Sequence, residues 1–281
     1  MNENGQARIS QDLQGKVAIV TGAGSRADGI GNGRATSILL AEAGARVVLV
    51  DANRGWAERT RDMIGAEGGE AAVVEADVTD PAQCAAVVQR AQEAFGRLDV
   101  LVNNVGVSGA KGTAVEVDLA EWTRGLLVNV TTMMLMAKFA VPAMAAGGGG
   151  AIVNIASVAG LRGGTPDLLY PTSKGAVVNM TRAMAVHHAP QRIRVNCVCP
   201  GMLYTPMMYA DGMAPEVRQA RQARSLLKTE GTGWDCGAAV LFLASGHARW
   251  MTGVILPVDA GTTATTTLDG SPYGRKPGTA D

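Results

Sequence analysis

Seven short runs of Val, Ile, Leu and Ala punctuate the chain, and a helix-length segment separates each from the next. The runs are Val17–Val20, Val47–Val50, Ala71–Val74, Val100–Val102, Ile152–Ile155, Ile193–Val198 and Val254–Val258. They lack the alternation of a half-solvated strand and read as strands buried on both faces. The intervening segments Gly33–Ala43, Arg54–Ala66, Pro81–Phe95, Glu121–Ala146, Leu169–His188 and Trp234–Ala244 have helical character. Parallel strands need crossover helices, and those crossovers are right-handed. The expected fold is therefore α/β: a single doubly wound parallel sheet over residues 15–261 with helices on both faces. Residues 1–14 read as an N-terminal extension and 262–281 as a tail without periodicity. Met-rich residues 202–228, carrying Gly212 and Pro215, break the alternation and read as a substrate loop or lid.

Charge narrows the function. With 25 basic and 25 acidic side chains in 281 residues, the chain has no basic excess to pay the electrostatic cost of a nucleic-acid partner. No polybasic run suggests a membrane surface, and the most apolar stretch, Met133–Ala146, is interrupted by Lys138 and Pro142. Cys84, Cys197, Cys199 and Cys236 match neither a disulfide framework nor a zinc spacing, so no metal is expected and the thiols read as reduced and packed. The polar stretch Met1–Ser10 has no apolar signal core. The expectation is a cytoplasmic protein whose partner is a small molecule.

After the first strand comes Thr21-Gly22-Ala23-Gly24-Ser25-Arg26-Ala27-Asp28-Gly29-Ile30-Gly31, followed by a helical segment. Glycines placed there let backbone N–H groups and a helix N-terminus meet a pyrophosphate. The strict spacing is absent; removing Arg26–Asp28 would restore a compact TGAGSGIG. A glycine-rich surface turn is the alternative. Asp51 ends the second strand 20 residues after Gly31, where a carboxylate holds ribose hydroxyls and repels a 2′-phosphate. NAD is favoured over NADP, with Arg26 and Arg54 near enough to soften the preference. An ordinary helix-capping Asp is the alternative.

Tyr170 and Lys174 stand one helical turn apart, and Ser157 lies thirteen residues earlier at the C-terminal end of a strand. Alone, a tyrosine and a lysine at this spacing read more readily as a solvated helix face. Together with TGAGS and GIG at Thr21–Gly31, DV at Asp77–Val78, NNVG at Asn103–Gly106, Asn129 in LLVNV, PGMLYT at Pro200–Thr205 and TGVILPVDAG at Thr252–Gly261, the sequence resembles the short-chain dehydrogenase/reductase family from about Gly15 to Gly261. The resemblance implies a catalytic set of Asn129, Ser157, Tyr170 and Lys174. It also implies a dinucleotide site of Gly22, Ser25, Gly29, Ile30, Gly31, Asp51, Asp77, Val78, Asn104, Gly106, Tyr170, Lys174, Pro200, Gly201, Leu203 and Thr205.

By this resemblance Tyr170 is the general acid/base, its phenol lowered from a pKa of about 10 by the Lys174 ammonium. Ser157 donates to the substrate oxygen. Lys174 binds the nicotinamide ribose, and Asn129 kinks its helix and completes a proton path. Asn103 resembles a strand-end asparagine that stabilises the sheet. Asp77 reads either as an adenine contact or a turn cap, and Thr205 as a carboxamide contact or a helix N-cap. His187 and His188 read as surface or capping residues at a helix end.

The sequence departs from the family pattern at the three extra residues of the glycine loop, at Val105 for a common alanine, and at Ala260 for a glycine. Met202, Leu203, Tyr204, Met207, Met208, Tyr209 and Met213 suggest an adaptable apolar wall and a secondary alcohol or ketone with an apolar or cyclic portion. Arg162 and Asp167 are the alternative, selecting an anionic or polyhydroxylated substrate. Three functional readings follow: an NAD(H)-dependent alcohol dehydrogenase or carbonyl reductase; a non-catalytic NAD-binding regulatory or scaffold protein; and an enoyl reductase, disfavoured because those relatives place six residues between tyrosine and lysine where this chain has three. The helices Glu121–Ala146 and Leu169–His188 are expected to pair across a two-fold axis in a homodimer or homotetramer.

Overall fold

The computed structural model describes residues 13–265. Nearly all of the expected N-terminal extension and most of the tail lie outside these residues. The strands are β1 (Val17–Thr21), β2 (Arg46–Asp51), β3 (Ala71–Glu75), β4 (Val100–Asn103), β5 (Gly150–Ile155), β6 (Ile193–Pro200) and β7 (Ile255–Val258). They form one parallel sheet in the order β3-β2-β1-β4-β5-β6-β7. The register sets Thr21 beside Val50, Asp51 beside Glu75, and Asn103 beside Asn154, so the chemistry-bearing residues collect at one edge.

The helices are α1 (Asn32–Glu42), α2 (Arg54–Ala66), α3 (Pro81–Phe95), α4 (Leu119–Leu126), α5 (Thr132–Ala146), α6 (Leu169–His188), α7 (Pro206–Tyr209), α8 (Pro215–Ala223) and α9 (Gly233–Ala244). Ile38, Leu40, Ile64, Val240 and Leu243 from α1, α2 and α9 fill one face of the sheet. Val87, Val88, Met136, Met144 and Met184 from α3, α5 and α6 fill the other. Leu119–Ala146 is long and apolar enough to cross a membrane by length and composition. Met133, Met136, Ala140 and Met144 of that run are instead buried in the sheet's core.

Three expectations need correction. The strands β3 and β7 are only half-buried, because each is an edge with a single neighbour and incomplete helix cover. The expected single helix Glu121–Ala146 is two α-helices joined by a π-helical turn, Leu127–Thr131, which a hydrophobic period cannot reveal. The loop over residues 202–228 carries two helices of its own, α7 and α8, and no residue of α8 is buried.

Candidate active site

The strand order reverses between β1 and β4, and open parallel sheets bind ligands outside the C-terminal ends of the strands at such a switch point. Two loops meet there. Asn104, after β4, donates from Nδ2 to the carbonyls of Thr21 (3.1 Å) and Gly22 (3.0 Å), while its N–H donates to the Thr21 hydroxyl at 3.0 Å. Asn103 instead donates to Asn154 Oδ1 at 2.9 Å, and Asn154 to Thr181 at 3.0 Å, a buried polar link from β4 through β5 to α6.

The structure shifts the glycine register by two residues. Gly22 takes the tight turn with φ +63°. The close helix–strand approach falls not at Gly31 but at Gly33, where a Cβ would overlap the Gly22 carbonyl. Gly31 caps α1 and borders open space, leaving room for a ligand at the helix N-terminus. The pattern is therefore Gly22 followed by Gly31-Asn32-Gly33, and the added segment is Arg26–Ile30, five residues by sequence rather than three. Gly29 and Ile30 belong to that segment: Gly29 backs onto Tyr209, and the Ile30 carbonyl abuts Gly233 of α9. Ser25 is buried and donates to the Ala27 carbonyl at 2.8 Å. Gly33 escaped the sequence reading; its signal was a Gly-x-Gly directly against the helical run.

Asp51 sits at the tip of β2 and accepts from the N–H groups of Gly24 and Asn53, both at 3.0 Å. It does not cap α2, because Asn53 does, accepting from the Trp56 N–H at 3.1 Å. Asp77 makes a turn with Thr79, whose N–H and hydroxyl both donate to its Oδ1. Val78 is buried beside it. Pro200 ends β6, the Gly201 N–H donates to the Val258 carbonyl at 2.9 Å, and Leu203 and Thr205 are buried. Thr205 starts α7 without a side-chain capping bond. The open space at Gly31, the tight turn at Gly22 and the carboxylate at the end of β2 together fit a dinucleotide.

Ser157 follows β5, and Tyr170 and Lys174 rise from the first turns of α6 over the same strand end. Lys174 is 3% exposed, donates from Nζ to the Ile155 carbonyl at 2.9 Å, and lies 5.9 Å from the Tyr170 ring centroid. A Cβ at Gly106 would meet Lys174 Nζ at 3.1 Å, so this glycine makes room for the ammonium. Beneath them Asn129 is fully buried inside the π-helical turn. Its Oδ1 accepts from the Val107 N–H at 2.8 Å, and its Nδ2 donates to the Val107 carbonyl (2.9 Å) and the Ser173 hydroxyl (3.0 Å). Ser173 in turn donates to the Tyr170 carbonyl at 2.9 Å. That hydroxyl also went unnoticed in the sequence, since a serine next to a helical lysine carries no pattern.

The electrostatics correct one expectation. Burial pushes the Tyr170 phenol above its usual value, and the Ser157 side chain offsets this only in part. Burial also pushes Lys174 down to about 8. The ammonium alone does not bring the phenol into the neutral range. With these residues only, loss of hydration on burial is the largest influence on each group.

All four cysteines are free and buried, and among the described residues no group of three metal-ligating side chains occurs. His187 and His188 lie at the C-terminal end of α6, away from Tyr170. Asp167 is tied to the loop following β4, accepting from Lys111 Nζ and the Gly112 N–H, both at 3.0 Å, and Arg162 donates to the Thr262 carbonyl at 2.7 Å.

Residues 24–263 match a family model described as enoyl-(acyl carrier protein) reductase. The cis-4-hydroxycyclohexanecarboxylate dehydrogenase of Sinomonas cyclohexanicum is 41% identical over 249 residues, which cover 89% of this chain and 97% of that protein. A Burkholderia xenovorans crystal structure of the short-chain dehydrogenase/reductase type superposes with a TM-score of 0.85 at 42% identity, over 91% of this chain and 99% of the other. A 7α-hydroxysteroid dehydrogenase in complex with NADH and 7-oxo glycochenodeoxycholic acid gives 0.83 at 33% identity, over 89% and 95%. On this breadth of likeness, and with the strand order and sheet edge described above, the chain belongs to the short-chain dehydrogenase/reductase family.

Proposed function

We propose that the protein is an NAD(H)-dependent oxidoreductase that interconverts a secondary alcohol and a ketone, with Tyr170 as general acid/base. The observation that carries this reading is the meeting of Ser157, Tyr170 and Lys174 at the end of β5, with Asn129 and Ser173 hydrogen-bonded beneath. A bound nicotinamide dinucleotide supplies the hydride donor or acceptor and, when oxidised, a positive ring. Its phosphates would lie at Gly31 and the N-terminus of α1, its adenosine ribose at Asp51, and its nicotinamide ribose at Tyr170 and Lys174. The Asp51 carboxylate, already fixed by two backbone N–H groups, repels a 2′-phosphate and favours NAD. Val78, Pro200, Gly201, Leu203 and Thr205 would line the remaining length of the bound dinucleotide.

In alcohol oxidation the Tyr170 oxygen takes the hydroxyl proton while the Ser157 hydroxyl donates to the substrate oxygen as its charge develops. Lys174, held by the Ile155 carbonyl, keeps positive charge beside the phenol and favours its deprotonated form. Asn129 fixes the loop after β4 through Val107 and orients the start of α6 through Ser173, so the proton set rests on buried hydrogen bonds.

The substrate is a secondary alcohol or ketone with an apolar or cyclic portion. Val107, Leu161, Leu168, Met207, Met208 and Leu226 leave apolar surface exposed on the loops following β4, β5 and β6. Two relatives are named for alcohols on cyclohexane and steroid rings, in keeping with that chemistry. The enoyl reading, which the family model's description favours, conflicts with only three residues between Tyr170 and Lys174. NADH formation should be followed over a diverse alcohol panel, with NADP in parallel. Turnover of cyclic or apolar secondary alcohols with NAD is expected; activity confined to small charged polyols, or equal rates with NADP, would overturn the substrate or cofactor assignment.

A further inference from the structure

The added segment Arg26–Ile30 reaches the lid. Arg26 forms an ion pair with Asp211, just beyond α7. The Tyr209 hydroxyl, in the last position of α7, donates to the Asp28 carbonyl at 3.0 Å. Gly29 has φ +116°, and a Cβ there would overlap that same hydroxyl. From the opposite side, the buried Arg34 of α1 donates to the Gly29 carbonyl at 2.6 Å and to the Thr60 hydroxyl at 3.1 Å, fixing the segment to the body of the fold. The contact continues outward through the lid. Tyr209 packs on Tyr204 with ring centroids 4.6 Å apart, and Arg218 of α8 lies 3.8 Å from the Tyr204 centroid while paired with Glu230.

We propose that Arg26–Ile30 and α7 form a clasp that ties the glycine loop to the lid, making Arg26 and Tyr209 positioning residues that hold the lid across the dinucleotide crevice. Joining the glycine loop to the lid makes opening of the crevice a single event rather than two. Cofactor can then leave only after the clasp parts. The kinetic half of this inference rests on the proposed dinucleotide site; the contacts themselves do not.

The test uses the full chain and two readouts. Without cofactor, trypsin cleavage after Arg218, Arg221 and Arg224, which requires the already exposed α8 to detach and unwind, reports lid opening. With cofactor, stopped-flow fluorescence reports NADH release. Tyr209→Phe should speed both by up to about tenfold, the range of one hydrogen bond. Arg26→Ala and Asp211→Ala should each speed both by about two- to fivefold, the range of an exposed ion pair. Arg26→Lys should stay close to the parent, and the charge-swapped double variant, Arg26→Asp with Asp211→Arg, should return towards it. Parental cleavage rates in Tyr209→Phe and both alanine variants would overturn the clasp, as would a swap that restores nothing. Equal acceleration at Lys138 in α5 would also overturn it, because that signals general destabilisation. If NADH does not bind, the dinucleotide assignment fails and the cleavage arm still decides the clasp.

Discussion

The floor of the crevice and its rim are built on opposite physical terms. On the floor, Asn129, Ser173 and Lys174 are buried and held by short hydrogen bonds between rigid elements, and burial disfavours charge on both Tyr170 and Lys174. On the rim, Arg26, Asp211 and Arg59 are exposed, their ion pairs are solvated, and Ala260 holds a left-handed backbone at φ +50° while its carbonyl accepts from Leu226. The floor is therefore stiff and costly to ionise, the rim cheap to rearrange. A site of this kind fixes its proton chemistry in the body and leaves access to the periphery.

The contrast can be broken first on the floor. Tyr170→Phe keeps the ring and removes the proposed proton carrier, so turnover should fall by about 10³-fold, within the range of a general acid/base, with NADH affinity retained by fluorescence titration. Retained turnover would remove the phenol from the chemistry.

Lys174→Met should abolish turnover and yet stabilise the cofactor-free protein. The folded-state pKa of about 8 lies below the unfolded value of 10.5, so the unfolded chain binds more protons between them. The ammonium then costs folding about 3 kcal/mol below that window. In thermal unfolding at pH 7 the variant should melt higher than the parent. The gap should close as pH rises from about 8 towards the unfolded value, where the parent regains the loss. A variant that melts lower at neutral pH would show that the bond to the Ile155 carbonyl outweighs desolvation.

The rim should yield smaller effects. Ala260→Gly removes the Cβ from a left-handed position and should raise stability by about 1 kcal/mol in denaturant unfolding, with no change in the pH dependence of turnover. Arg54→Ala, which breaks the exposed Arg54–Glu58 pair, should change stability by less than about 0.5 kcal/mol. A rim substitution that moved the pH profile of turnover would mean that the two regions are not separable.

The alternation of apolar runs and helical segments marked all seven strands and their parallel pairing, and several boundaries, such as α3 and α6, were readable because Pro81 and the run ending at His188 announce them. Tyr170, Lys174 and Ser157 stood out only through spacing and order. The π-turn at Leu127–Thr131 left no trace in hydrophobic period, because one extra residue per turn does not change which side chains are apolar. The glycine register was misplaced for a related reason: Gly29-Ile30-Gly31 and Gly31-Asn32-Gly33 fit the same pattern on paper.

Sequence by itself determined the α/β architecture and the residue types available for proton transfer, since periodicity and chain order are local properties. Tertiary structure alone decided that Gly33 packs against the Gly22 carbonyl, that burial rather than the Lys174 ammonium governs the phenol, and that the added segment meets the lid. Those outcomes depend on overlap, desolvation and contacts between residues nearly two hundred positions apart, such as Asp28 and Tyr209, and these exist only once the chain is folded.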